Sequence, residues 1–382
     1  MAQQKNIDVL YIITKLEMGG AQKVCLALFD GLKNYNITAL LLSGSEGALV
    51  DNVKEQPHVI LLPSLQREVG LKLVWLEIKN FFIVTQKIRE LKQQYPHLIV
   101  HTHSTKAGLI GRWAAFFAGV KKRVHTVHGY AFHPHQNKII WLIIYGLELI
   151  TSFITTHYVC VSSADISTGK FLFPRFKHKY TLIRAAVDQE QFYVPAHKTH
   201  LFPAHDKPFV FGTISCFKPQ KNIFDLLKSF QHVHAKNPQT RLEIIGDGIQ
   251  RIAIETWIHK HKLSDVITLH GWQPDVAQFL INWHVFVMSS LWEGLPCAIV
   301  EARLLKLPVI SYDTGGIRDV IFHGQNGFIH PPKTWQKLAA SMSELAKNDL
   351  LYAKLYSNPD DLREFDTTVM LKKHRELYEK LG

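Results

Sequence analysis

His284 to Tyr312 reads HVFVMSSLWEGLPCAIVEARLLKLPVISY, and its layout decides the fold. A short apolar run, His284 to Met288, has the length and residue types of a buried strand. The loop SSLWEGLP follows. Cys297 to Leu305 then has helical spacing, and Pro308 stops it just before a second apolar run, Val309 to Tyr312. A strand, a helix and another strand in that order return the chain parallel to itself, because a hairpin would need only a tight turn.

The same alternation extends in both directions. Val9 to Thr14, Thr38 to Leu42, Val59 to Leu62, Leu98 to His101, Val124 to Thr126 and Tyr158 to Val161 are short runs with helical stretches between them, among them Ala21 to Leu32, Leu71 to Gln93 and Lys106 to Ala118. The pattern restarts at Phe209 to Ile214, Arg241 to Ile245 and Val266 to His270. Between the two series lies Arg184 to Pro203, polar and without periodicity, where a linker is expected. The chain's 382 residues exceed what one hydrophobic core usually holds. Two doubly wound α/β domains facing across a cleft are therefore expected, divided as 1–187, 188–362 and a C-terminal helix, 363–382, packing back on the first domain. In such open sheets ligands bind beyond the carboxyl ends of the strands. The turns found there carry glycine, histidine and basic residues.

With 47% hydrophobic and 20% charged residues the chain is globular. Its net charge of +12 implies an anionic partner and lies mostly in the first half, where residues 1–195 hold 22 Lys+Arg against 13 Asp+Glu. Four scattered cysteines without a C-x-x-C pair argue against a zinc site or a disulfide framework and fit a reducing compartment. No basic segment leading into a long apolar one opens the sequence, so a cytoplasmic location is expected, with a peripheral one on the inner face of the membrane as its variant. Ile139 to Ile154 (IIWLIIYGLELITSFI) is too short to span a bilayer and is expected as a buried helix, a membrane-surface helix being the lesser reading.

Within the opening stretch, Pro296 suits the first helical position, which leaves Glu293 on the loop and Glu301 in the second turn. The free amides at that helix start favour an anion such as a diphosphate. Carboxylates beside it suit sugar hydroxyls. Taken alone, the pair reads equally well as a helix-terminal acid and a solvated one. The neighbouring turns shift the balance. FGTISCFKPQKN, Phe211 to Asn222, places Lys218 and Lys221 near the next helix start as a diphosphate clamp, and DTGGIRD, Asp313 to Asp319, has paired glycines that let backbone approach a ligand. Gly19 and Gly20 do the same in the first half. His128 follows a strand and faces the presumed cleft, able to donate to a hydroxyl or orient a phosphate. The other spaced histidine pairs, such as His101/His103, are scattered without a carboxylate or cysteine set, so no metal is expected. GDGIQR, Gly246 to Arg251, fails the full G-x-G-x-x-G pattern, and neither a P-loop nor an Asp-x-Asp clamp occurs.

EGLPCAIVE, FKPQKN, TGGIRDVI followed by NGFI, and GGAQKV together resemble the retaining glycosyltransferases of family 4, which have the GT-B fold. HTHSTKAGLIGR and HTVHGYAFH resemble the bacterial branch that builds surface polysaccharides on lipid-linked acceptors. The resemblance implies catalytic roles for His128, Glu293 and Lys221. Its donor site would comprise Gly19, Gly20, Cys216, Lys218, Lys221, Gly294, Leu295, Pro296 and Glu301, with Glu301 on the ribose hydroxyls and Glu293 on the donor sugar. It implies no cofactor and no metal, a nucleotide diphosphate sugar (UDP above all) as donor, and a glycan or polyprenyl-linked sugar as acceptor. An anionic membrane surface is the further partner expected from the basic first half and KKR at 121–123; nucleic acid is not expected. One departure stands out: Ser215, Cys216 and Phe217 occupy the place where the family often has Gly-Arg-Leu, leaving the arginine's charge to Lys218 or Arg318. The alternatives are a nucleotide-sugar epimerase or hydrolase on this fold, and a non-catalytic basic protein that binds membrane or nucleic acid.

Overall fold

The computed structural model describes residues 7–65, 74–133, 135–192, 202–203 and 207–382. It divides into two compact units. Unit 1 is Met1–Ala186 with Thr367–Gly382, and unit 2 is Val187–Asp366.

In unit 1, strands β1 (Ile7–Ile13), β2 (Ile37–Ser43), β3 (Val59–Leu61), β4 (Ile99–His103), β5 (Lys122–Val127), β6 (His157–Cys160) and β7 (Tyr180–Leu182) form one parallel sheet in the order 3-2-1-4-5-6-7. The helices between them are α1 (Gly20–Gly31), α2 (Val74–Gln94), α3 (Thr105–Phe117), α4 (Lys138–Ile154) and α5 (Ser163–Leu172). Leu10, Ile12, Leu40, Val100 and the α3 alanines Ala107, Ala114 and Ala115 form a closed core. Small residues let α3 sit close: a Cβ on Gly111 would lie 2.7 Å from Thr102 Cγ2.

Unit 2 repeats the plan. β8 (Phe209–Ile214), β9 (Thr240–Ile245), β10 (Ile267–Gly271), β11 (Val285–Met288), β12 (Val309–Tyr312) and β13 (Gly327–His330) lie parallel in the order 10-9-8-11-12-13. Its helices are α6 (Ile223–Lys236), α7 (Arg251–Lys260), α8 (Ala277–Leu280), α9 (Cys297–Leu304), α10 (Trp335–Leu345) and α11 (Asp349–Ser357). Trp283 is fully buried against Gly212, where a Cβ would come within 1.9 Å of the indole.

The last helix, α12 (Thr367–Leu381), belongs to unit 1. Tyr378 Oη lies 3.2 Å from Tyr11 Oη and 2.5 Å from His101 Nδ1, and Lys122 Nζ donates to the Gly382 carbonyl at 2.8 Å. The boundary falls after Asp366 rather than 362, because Arg363–Phe365 is a 3-10 turn whose Phe365 carbonyl accepts from Val187 N at 2.9 Å within unit 2. Of the expected linker, 193–201 lies outside the described residues, as do 204–206, and so does the start of the helix expected from Leu71.

Three expectations are corrected. β7 and β13, each the last strand of its sheet, escape the apolar pattern because YTL and GFIH are short and mixed. Pro296 is the residue before α9, in extended conformation at φ −77° and ψ 104°, so Cys297 starts the helix. The third correction concerns α4, expected to be buried. Ile139, Leu142, Ile143, Leu147, Ile150 and Phe153 are exposed, while Glu148, Thr151 and Ser152 point inward.

Candidate functional site

In each sheet the strand order reverses at one place, between β1 and β4 and between β8 and β11, and loops leaving the carboxyl ends of those strands diverge to opposite faces. Polar residues of the two loops flanking such a point are brought together however far apart they lie in sequence.

In unit 2 the loops are Ser215–Asn222 after β8 and Ser289–Pro296 after β11. Lys221 Nζ donates to Glu293 Oε1 at 2.5 Å, with both side chains largely withdrawn from solvent. The loops are stitched by backbone and side chains alike. Gln220 Nε2 donates to the Trp292 carbonyl at 2.7 Å, and Leu291 N donates to the Gln220 carbonyl at 2.8 Å. Ser289 Oγ lies 3.0 and 2.9 Å from the Lys221 and Asn222 carbonyls, to which its single proton is shared. Asn222 takes the left-handed conformation, φ 48°, and its amide donates to Asp225 Oδ2 at 2.7 Å. These bonds fix the lysine and the acid relative to each other.

A third loop, after β12, buttresses the acid. Gly316 N donates to the Gly294 carbonyl at 2.6 Å, and Gly315 has φ +55°, with any Cβ there falling 2.2 Å from the Glu293 carbonyl. The glycine pair expected to admit a ligand thus admits the backbone of the Glu293 loop. Glu301, in the second turn of α9, is buried, as are Gly294, Leu295 and Pro296. At the start of α9, Ile299 N donates to the Pro296 carbonyl at 3.0 Å. Two buried hydroxyls in these loops, Ser290 Oγ and Thr314 Oγ1, have no protein partner. Sequence reading missed both, since a serine or threonine in a loop carries no signal until its burial is known.

Cys216 and Lys218 stand in the β8 loop, half-buried. Cys216 stands at the place of the family's usual arginine, and Phe217, at that of the leucine, is fully buried, its amide bonded to the Asp247 carbonyl at 2.8 Å and its ring in the unit 2 core. The GDG turn therefore packs against this loop: Gly248 at φ +154° would place a Cβ 2.7 Å from the Phe217 carbonyl. Arg318 is committed to Asp313 through two bonds, Nε to Oδ1 at 2.8 Å and Nη2 to Oδ2 at 2.6 Å.

In unit 1, Gly19 is the residue before α1 and Gly20 its first. A Cβ on Gly19 would meet only the mobile end of Gln22, at 2.6 Å. His128 follows β5, with Nε2 3.0 Å from His103 Nδ1. The surrounding protein, and His374, push its pKa down to about 3, so the imidazole is neutral. Two neutral rings joined this way have linked tautomers. If His103 donates, His128 Nδ1 carries its proton outward; if His128 donates, that nitrogen is an acceptor. Through Nδ1 a neutral His128 can donate or accept one hydrogen bond, according to which tautomer the His103 contact selects.

The histidines expected to be scattered are partly gathered. His103 stacks on His101 at 4.6 Å, His101 Nε2 is 2.7 Å from Thr126 Oγ1, and His374 lies 5.8 Å from the His101 ring. Burial holds all of them well below the usual imidazole range, His374 at about 4. Among the described residues no group of three or more His, Cys, Asp or Glu side chains is placed to hold a metal ion.

The chain matches two family models in tandem: Glycosyltransferase Family 4 over residues 18–191 and Glycosyl transferases group 1 over residues 200–360. An Escherichia coli UDP-Gal:α-D-GlcNAc-diphosphoundecaprenol α-1,3-galactosyltransferase is 30% identical over 331 residues, 85% of this chain and 84% of that one. A Staphylococcus aureus capsular polysaccharide biosynthesis glycosyltransferase, CapM, is 24% identical over 84% of this chain and 82% of its own. Among solved structures, Anabaena HepE in complex with UDP and glucose is similar with a TM-score of 0.79 at 20% identity, over 98% of this chain and 100% of that one. Sucrose-phosphate synthase from Thermosynechococcus elongatus has a TM-score of 0.80 at 18% identity, over 98% and 99%.

Proposed function

We propose, from the premise that the chain belongs to the family 4 glycosyltransferases of GT-B fold, a specific division of labour among its residues. The enzyme moves a sugar from a nucleotide diphosphate sugar to an acceptor in polysaccharide biosynthesis. In the finer reading the donor is a UDP-sugar, the anomeric configuration is retained, and the acceptor is a polyprenyl-diphosphate-linked sugar at the membrane's inner face. The E. coli relative, named for that donor nucleotide and that class of acceptor, supports the donor and the acceptor class. The observation that carries the reading is the Lys221–Glu293 pair, held at 2.5 Å by stitched loops beyond the carboxyl ends of β8 and β11.

Breaking the bond from the anomeric carbon to the diphosphate oxygen leaves negative charge on that oxygen and oxocarbenium character on the sugar. Lys221 and the positive end of the α9 dipole meet the leaving charge; Glu293 holds sugar hydroxyls, and Glu301 accepts from the ribose. Ser290 and Thr314, buried hydroxyls without protein partners, add bonds to the same ligand. The acceptor hydroxyl attacks from the face the diphosphate leaves, and its proton passes to the departing phosphate oxygen, so no protein base is required. His128, neutral, offers one hydrogen bond to a ligand at the carboxyl end of β5.

Thermal stabilisation by UDP and by a panel of nucleotide sugars tests the binding half. The wild type should be stabilised, and Glu301→Gln should lose most of the shift with its fold intact; an unchanged shift removes Glu301 from the site. Lys221→Met should lower the transfer rate by about 100- to 1,000-fold, the size expected for removing one preorganised donor to a leaving oxygen. Donor consumed at full rate without acceptor would mark a hydrolase instead.

A further inference from the structure

Helix α4 is built inside out. The polar side chains of its second half face the protein: Glu148 takes two bonds from the fully buried Arg112 at 3.0 and 2.8 Å, and Thr151 Oγ1 accepts from Trp113 Nε1 at 2.9 Å. Ser152 Oγ donates to the Leu149 carbonyl at 2.6 Å, and Thr155, just past the helix, accepts from Arg112 Nη1 at 3.0 Å. The opposite face is apolar and open, with Ile139, Leu142, Ile143, Leu147, Ile150 and Phe153 each between 48% and 70% exposed. Their spacing of three and four residues makes one stripe. A helix turned toward water has the reverse arrangement, because each exposed apolar side chain forfeits about 1.5–3 kcal/mol of burial.

The stripe has neighbours of the same kind. Phe116 and Phe117 at the end of α3 are exposed, Phe117 stacked on Trp113 at 6.0 Å, and the Arg123 guanidinium lies over Phe116 at 5.4 Å. Lys138 at the start of α4 and Lys121 beside Arg123 are solvent-facing. Lys179 reaches the α4 carboxyl end, its Nζ 2.8 Å from the Thr155 carbonyl. Charge follows the same division: unit 1 holds 26 Lys+Arg against 13 Asp+Glu, a balance of +13, and unit 2 holds 18 against 19, a balance of −1.

We infer that this face is a docking surface for an anionic lipid bilayer, with α4 lying in the plane of the interface and its stripe entering the acyl region. The inference deepens the proposed function and rests on it only for why the enzyme visits a membrane. A 17-residue helix is about 25 Å long at 1.5 Å per residue, short of the hydrocarbon core, and no helix among the described residues is long and apolar enough to cross it. A second copy on this face would bring together two units of +13 each, whereas phosphatidylglycerol headgroups complement that charge. The basic groups attract the surface from a distance, and the apolar stripe holds it at contact.

Vesicle flotation of the full chain tests this. The wild type should float with phosphatidylglycerol-containing vesicles and much less with pure phosphatidylcholine, and high salt should weaken binding. Ile143→Glu/Ile150→Glu changes only exposed positions, so its circular dichroism should match wild type while its bound fraction falls at least tenfold. Equal flotation of both proteins overturns the inference. So does a wild type that stays with the solution, whether it is a monomer or a dimer that the double variant dissolves; the dimer would show a second copy as the occupant. Flotation without any thermal shift from nucleotide sugars leaves the surface standing and removes the enzymatic reading.

Discussion

Units 1 and 2 are two versions of one topology that differ in nearly everything the topology leaves open. Both are parallel sheets that reverse order after the first strand, and each buries one arginine completely, Arg112 or Arg303. In unit 2 the reversal point gathers Lys221 and Glu293 into a stitched pair on a nearly neutral body. In unit 1 it gathers neutral histidines on a strongly basic body, with an apolar helix turned outward. The repeated sheet fixes where loops converge, and the loops decide what converges there.

The largest expected effect tests whether the two buried arginines are equivalent. Arg303 donates to Asp360 Oδ2 at 2.8 and 2.5 Å and to the Leu307 carbonyl at 2.8 Å, much as Arg112 serves Glu148 and the Gly108 carbonyl. Replacing either with alanine leaves a buried carboxylate unpaired and should cost about 3–5 kcal/mol. Hydrogen exchange should place the lost protection of Arg112→Ala in unit 1 and of Arg303→Ala in unit 2. Loss throughout the chain in both would mean that the units unfold as one, and the comparison would fail.

The next effect belongs to unit 1. His374, at about 4 in the fold, returns to about 6.5 when unfolded, and His128 is held lower still. The unfolded chain therefore binds more protons, and the stability these neutral rings confer is complete above about pH 6.5 and lost as pH falls toward 4. By pH 5 the loss should be on the order of 1–2 kcal/mol for each such histidine. Urea melts at pH 7.5 and pH 5, compared with His374→Gln, check the sign; a transition insensitive to this range would show that the rings titrate normally. The smallest effect is local to unit 2. Gly315→Ala should cost about 1–3 kcal/mol, since a Cβ is strained at φ +55° and presses on the Glu293 carbonyl. Weaker donor binding should accompany the lower melting temperature; unchanged binding would separate this loop from the site.

Much of the fold was legible because β-branched runs and helical spacing are local properties. Phe209–Ile214 and Val309–Tyr312 match their expected spans to the residue. β7 and β13 were not, since a three- or four-residue edge strand is held by its one neighbour more than by its own composition. Glu293 and Lys221 were legible as candidates because both follow strands, but their pairing depends on β8 lying beside β11. The histidine cluster was read as dispersed because His374 reaches it from α12, at the far end of the chain. The orientation of α4 was misjudged because a helix apolar on most sides looks buried until Arg112 is seen to require Glu148, and that requirement turns the polar side inward.

The return of α12 to unit 1 has a consequence for biosynthesis. Unit 2 is an insertion between two parts of unit 1, and the hydroxyl that holds His101 arrives on Tyr378, translated after the whole of unit 2. During synthesis unit 2 can close around its own core while unit 1 still lacks a wall, its β1 and β4 side chains waiting for the terminal helix. Unit 1 is therefore completed only after all of unit 2 has been made, and a chain cut before α12 should fold in unit 2 while its histidine cluster stays open.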